Sequence, residues 1–193
     1  MKNLPNILSI SRFFVALAFV YFYQINQAWA VFLSTALFAG GALTDFLDGY
    51  LARKYQLSSD FGKLMDPIAD KFLVLSAFFV FMAQGEIAVW MFYAIAIREV
   101  FVTASRLSLT RKGTVVAAEA AGKLKTVLQM VTIFVILGLN VLAHSTSDPS
   151  SWVFQQNTLF FFSIGAQILM ILTVTLTLYS GVLYFMKNRE NLF

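Results

Sequence analysis

Long apolar runs separated by short polar stretches dominate the chain. They occupy residues 7–24, 29–52, 66–84, 87–108, 117–142 and 157–185. Each approaches or exceeds the roughly 18–20 mostly apolar residues that a helix needs to cross a bilayer. They are too long and continuous for the alternation of barrel strands. The pattern predicts an all-α, polytopic membrane protein with six transmembrane helices. The stretch KNLPNILSISR before the first run reads as a short amphipathic segment at the interface.

Composition sharpens this picture. The chain has 193 residues, is 59% hydrophobic and carries charge on only 12% of them. That is about half the charged fraction of a soluble domain. Mean hydropathy is +0.75. There is no cysteine, so neither a disulfide nor a thiolate metal site is available. The first apolar run holds Arg12 and lacks a small-residue cleavage site, so no cleavable signal is expected. No repeat, linker or low-complexity tract divides residues 1–193, and a single domain is expected.

The charges sort by side. The segments QINQAW, QGE and HSTSDPSSWVFQQN contain no Lys or Arg, and all 14 basic residues lie in the opposite loops and tails or in the span halves nearest them. By the positive-inside rule both termini are cytoplasmic, as are the loops after the second and fourth spans. Lys187 and Arg189 read as topological anchors. Trp29, Trp90 and Trp152 fall near the opposite interface, where an aromatic belt is expected. Gly40 and Gly41 are candidates for close helix packing, and His144 is expected in an exposed loop.

Against this background residues 45–70, DFLDGYLARKYQLSSDFGKLMDPIAD, hold five acids in 26 positions. Asp45 lies roughly 24 Å along the second span and Asp48 about 28 Å, close to the cytoplasmic edge of a core about 30 Å thick. Asp66 and Asp70 open the third span at the same level, and Pro67 falls in its first turn. Asp45 and Asp48 are i,i+3, Asp66 and Asp70 are i,i+4, and each pair shares a helix face. Four like charges in a low-dielectric site repel and need neutralising. All-oxygen ligands suit Mg²⁺, Mn²⁺ or Ca²⁺. Helix-end acids held by Lys54, Lys63 and Lys71 would explain one such aspartate better than four.

These residues stand as Asp45-x2-Asp48-Gly49-x2-Ala52-Arg53-x8-Gly62-x3-Asp66-x3-Asp70. That spacing, together with the six-span plan, resembles the CDP-alcohol phosphatidyltransferase family over nearly the whole chain. Members move a phosphatidyl or related phosphoryl group from a CDP-linked donor to an alcohol and release CMP. The resemblance implies a pair of divalent cations, Mg²⁺ or Mn²⁺, held by Asp45, Asp48, Asp66 and Asp70. It makes Asp70 the base that takes the acceptor hydroxyl proton. Asp48, Gly49, Ala52 and Arg53 would contact the donor nucleotide, with Ser59 a weaker contact and Gly62 a turn residue. The amino-terminal segment matches the family's own and places Asn6, Ser9 and Arg12 near the nucleotide.

The acceptor is read from the remaining buried charges. REVFVTASR places Arg98 and Arg106 on the fourth span beside Glu99, and EAAGKLKT opens the fifth with Glu119, Lys123 and Lys125. Arg98–Glu99 and Glu119–Lys123 are candidate structural pairs, but two acids cannot neutralise four cations. A phosphate on the acceptor would supply the missing charge, so Arg98, Arg106, Lys123 and Lys125 are expected to bind it. The same segments resemble the branch of the family that uses sn-glycerol 3-phosphate, which commonly has Phe after the Arg-Glu pair where Val100 stands here. The implied partners are CDP-diacylglycerol, sn-glycerol 3-phosphate and membrane lipid, with a homodimer allowed and nucleic acid excluded. The implied place is the bacterial cytoplasmic membrane, with the active site facing the cytoplasm.

Two other readings remain open at this point. One is another enzyme of the family with a phosphorylated acceptor, such as a phosphatidylinositol phosphate synthase. The other is a cation transporter, although transporter sites favour the midplane and broken helices.

Overall fold

The computed structural model describes residues 4–25, 27–55, 60–111, 120–145 and 152–192. All regular structure among them is helical: α1 Leu4–Gln24, α2 Ala28–Tyr55, α3 Asp60–Ala83, α4 Val89–Arg111, α5 Ala120–Ser145 and α6 Trp152–Leu192. The six predicted runs correspond one to one with these helices.

The differences lie at the ends. The amphipathic segment is continuous with the first span, because α1 begins at Leu4. Pro5 stands in that first turn, where a missing N–H costs nothing. The described part of α3 runs from Asp60, six residues ahead of the apolar run. Pro67 is therefore two turns inside α3 rather than in its first turn. α5 continues through Ser145 and puts His144 in its last turn, where Nδ1 donates to the Asn140 carbonyl at 2.8 Å. A loop position had been expected for that histidine. α6 has 41 residues, about 60 Å of helix and twice the thickness of a hydrocarbon core.

The chain divides into two compact units, residues 1–84 with 140–147 and residues 85–139 with 148–193. In the first, α1 packs on both α2 and α3. Its core is rich in aromatic rings: Phe19, Phe38, Phe78 and Phe81 are fully buried. The Phe19 and Phe38 rings lie 5.5 Å apart, and Tyr23 meets Phe81 edge-on at 5.6 Å. Such rings contribute beyond the area they bury. Gly41 sits where the three helices meet. A Cβ there would lie 3.1 Å from Leu73 and 3.3 Å from Val15, so only glycine fits without a shift. Gly40, the other candidate, faces open space. α3 ends before Gly85, whose φ of 75° suits glycine alone.

The second unit buries polar residues among its apolar core: Glu99 on α4; Lys125, Gln129 and Thr132 on α5; Thr173, Thr177 and Ser180 on α6, beside Ile95, Leu109, Ile133, Leu137 and Met170. Its outward faces are apolar, with Ile97, Val100 and Phe101 exposed on α4 and Leu172, Tyr179 and Val182 on α6. Apolar surface on this scale needs lipid rather than water around it. Among the described residues Gly122–Ser145 and Ile164–Arg189 are long and apolar enough to cross a membrane.

Candidate active site

The residues expected at the donor and metal site all fall in the first unit. Asn6, Ser9 and Arg12 lie on α1. Asp45, Asp48, Gly49, Ala52 and Arg53 lie on α2, and Gly62, Asp66 and Asp70 on α3. α2 and α3 touch each other, and both pack against α1. Because their backbones are helical, the i,i+3 and i,i+4 spacings do place each aspartate pair on one helix face. The side chains of residues 45–67, of Asp70, of Asn6 and of Ser9 lie outside the described residues, and so does Ser59 altogether. Arg12 is described and 3% exposed, deep in an apolar helix. A donor set of four carboxylates on two touching helices fits hard divalent ions by its chemistry.

The residues expected at the acceptor site fall in the second unit, and here the side chains are resolved. Glu99 is their centre. It is 1% exposed and accepts from three partners: the Lys125 ammonium, Arg98 Nη1 at 3.3 Å and Gln129 Nε2 at 3.3 Å. Gln129 also reaches the Thr177 hydroxyl at 3.4 Å. Arg98 extends to α6, where Nη2 donates to Ser180 Oγ at 2.8 Å, and Ser180 in turn donates to the Thr177 carbonyl at 3.0 Å. One turn along, the Thr132 and Thr173 hydroxyls meet at 2.7 Å. Three helices are thus joined through a chain of polar contacts inside an apolar shell.

The helical periodicity explains this. On α4, Ile95, Glu99, Val102 and Leu109 recur on one buried face, and Arg106 lies one heptad after Glu99. Arg106 is exposed at the seam's end, its guanidinium carbon 5.8 Å from the centre of the Tyr184 ring. On α5, Lys123 and Lys125 are two residues apart and so point to opposite sides. Lys125 is buried in the cluster, while Lys123 is exposed. The cluster therefore gathers Arg98, Arg106 and Lys125 and leaves Lys123 on the far side of its helix. Arg98–Glu99 is a pair, as expected, whereas Glu119 lies outside the described residues.

None of the residues expected at either site lies on α6. Thr173, Thr177, Ser180 and Tyr184 recur at steps of four, three and four within a largely apolar run. That spacing of hydroxyls along one helix face was the available signal.

The sequence profile of the CDP-alcohol phosphatidyltransferase family matches residues 2–185. A Bacillus subtilis protein named CDP-diacylglycerol–glycerol-3-phosphate 3-phosphatidyltransferase is 34% identical, over all of this chain and 98% of its own length. Proteins of the same name from Rickettsia typhi and Cereibacter sphaeroides are 38% and 36% identical. Their matches cover 71% and 78% of this chain, and 77% and 71% of theirs. With the motif on α2 and α3 and a match from residue 2 to residue 185, the chain belongs to the CDP-alcohol phosphatidyltransferase family.

Proposed function

We propose that the protein transfers the phosphatidyl group of CDP-diacylglycerol to sn-glycerol 3-phosphate, giving phosphatidylglycerophosphate and CMP. The observation that carries this reading is end-to-end similarity to a relative named for that reaction, with the full aspartate motif on two touching helices. The basic cluster, buried at Arg98 and Lys125 and exposed at Arg106, supports a phosphorylated acceptor. Arg98, Arg106 and Lys125 against Glu99 leave three cations less one carboxylate, a surplus of two positive charges among the described residues. A phosphate dianion matches that surplus.

In this reading Asp45, Asp48, Asp66 and Asp70 hold two divalent cations, Mg²⁺ or Mn²⁺. Bound there, the metals would neutralise the donor pyrophosphate and stabilise the departing CMP. Arg53 holds donor phosphate through its planar fork. Gly49 and Ala52 leave room for the nucleotide, and Asn6, Ser9, Arg12 and Ser59 border it. Asp70 takes the proton of the acceptor hydroxyl as its oxygen attacks the phosphatidyl phosphorus. The bond from that phosphorus to the CMP phosphate oxygen breaks, and CMP leaves with the electron pair. Arg98, Arg106 and Lys125 fix the acceptor by its phosphate, with Lys123 adding positive potential.

The six helices are six membrane spans of a single functional domain, both termini are cytoplasmic, and the active site faces the cytoplasm of a bacterial inner membrane. The separation of basic from non-basic loops supports that orientation. An acceptor panel tests the proposal. Purified protein in detergent, given CDP-diacylglycerol, should release CMP with glycerol 3-phosphate and far less with glycerol, serine or inositol. Equal rates with free glycerol would overturn the assignment. Turnover with inositol phosphate alone would move the protein to another branch of the family.

A further inference from the structure

The basic cluster contains two polar groups that the ion pairs leave unsatisfied. Arg98 Nε and the Tyr184 hydroxyl are both buried, and neither has a hydrogen-bond partner among the described residues. A buried donor left unmade is costly, so its persistence calls for an explanation such as a ligand. Both groups belong to the α4–α6 seam. Tyr184 is only 2% exposed. The Arg106 guanidinium covers its ring, adding a cation beside an unused hydroxyl.

The pose of Arg98 is set from α6. Ser180 accepts from its Nη2, and Gly181 provides the space for its stem. A Cβ on Gly181 would lie 3.0 Å from Arg98 Cγ and 3.5 Å from Nε. A methyl group there would collide with the stem near its root, where the side chain has little freedom to yield. Glu99 fixes the remaining edge through Nη1. Both terminal nitrogens of the guanidinium are therefore engaged, and Nε–H is the donor left over.

Two free donors flanked by surplus positive charge suit an anionic oxygen. We propose that the α6 stripe Ser180, Gly181 and Tyr184 forms a wall of the acceptor-phosphate pocket. Tyr184 donates its hydroxyl hydrogen to the phosphate, and Ser180 and Gly181 are positioning residues that hold Arg98 with Nε–H turned to the same group. This rests on the proposed reaction and adds residues to its acceptor site.

The test is steady-state kinetics on the full-length protein in detergent, with CDP-diacylglycerol and glycerol 3-phosphate varied in turn, alongside thermal unfolding. Tyr184→Phe should raise the acceptor KM roughly tenfold to a hundredfold, the loss of a hydrogen bond to a charged group. Donor KM should stay within about twofold, since the variant leaves the nucleotide side untouched. Its unfolding temperature should not fall, because an unsatisfied hydroxyl has been removed from a buried site. A purely structural tyrosine would give the reverse, with lower stability and an unchanged acceptor KM.

Ser180→Ala and Gly181→Ala should each raise the acceptor KM in the wild-type background and change it little in an Arg98→Ala background. Ser180→Thr, which keeps the hydroxyl, should restore it. Such non-additivity marks residues acting through Arg98. Additive effects in the Arg98→Ala background would overturn the positioning role, and an unchanged acceptor KM in Tyr184→Phe would overturn the binding role. A wild-type protein inactive with glycerol 3-phosphate would overturn the proposed reaction and this inference together. Active wild type with insensitive variants would overturn the α6 wall alone.

Discussion

Neutralising Glu99 should cost more stability than removing either of its cations. In Glu99→Gln the shape is kept and the charge lost. Lys125, 3% exposed, and Arg98, whose side chain is 9% exposed, are then left as like charges in a low-dielectric seam. Removing one partner of a buried ion pair costs about 3–5 kcal/mol, because the surviving charge stays desolvated. Arg98 keeps its contact to Ser180, which favours the lower half of that range. Even about 3 kcal/mol is a large share of a total stability of roughly 5–15 kcal/mol. Lys125→Met should cost less, since Glu99 keeps Arg98 at 3.3 Å. The double variant Glu99→Gln/Lys125→Met should recover much of the loss, because removing both charges of a buried pair is often close to neutral. Denaturant-induced unfolding in detergent micelles, followed by helical circular dichroism, measures all three against wild type. The reasoning is refuted if Glu99→Gln unfolds within about 1 kcal/mol of wild type, or if the double variant is no more stable than that single one.

Other consequences are open to equally direct tests. Asp45→Asn, Asp48→Asn or Asp66→Asn should abolish turnover in protein that still folds, and excess EDTA should do the same to wild type, both read by CMP release. Asp70→Asn should lower kcat far more than it weakens donor binding, separated by kinetics and an equilibrium donor-binding assay. Arg106→Ala should raise the acceptor KM roughly tenfold to a hundredfold and leave the donor KM unchanged, as expected for one charge-assisted contact. Gly41→Val should destabilise by about 1–3 kcal/mol through overpacking against Leu73 and Val15, and Gly40→Val, facing open space, by much less.

How much could be read in advance followed from what leaves a local trace. Six helices were legible because they are written as long apolar runs, and the family motif because it is compact and local, within residues 45–70. Helix ends were less legible. The described part of α3 already includes Asp60–Met65, ahead of the apolar run, because hydropathy alone does not decide where a helix begins. The partnership of Glu99 with Lys125 spans 26 residues of sequence and leaves no local periodic trace. The expected Glu119–Lys123 pairing followed i,i+4 spacing, and Glu119 lies outside the described residues. Gly181 is silent in sequence, since its role depends on Arg98 meeting it from another helix. The α6 hydroxyls had a periodic signature, but isolated Thr and Ser in apolar helices commonly bond back to their own carbonyls, as Thr175 does to Ile171. Only tertiary contacts separate the two uses.

The central claim joins the aspartate motif to a phosphorylated acceptor in one reaction. Mass analysis of the lipid product formed from CDP-diacylglycerol and glycerol 3-phosphate, with wild type and Asp66→Asn purified in parallel, tests both halves at once. The account predicts phosphatidylglycerophosphate and equimolar CMP from wild type with added Mg²⁺ or Mn²⁺, and neither from Asp66→Asn. Equal product from Asp66→Asn, or CMP release from wild type that does not depend on glycerol 3-phosphate, would contradict it.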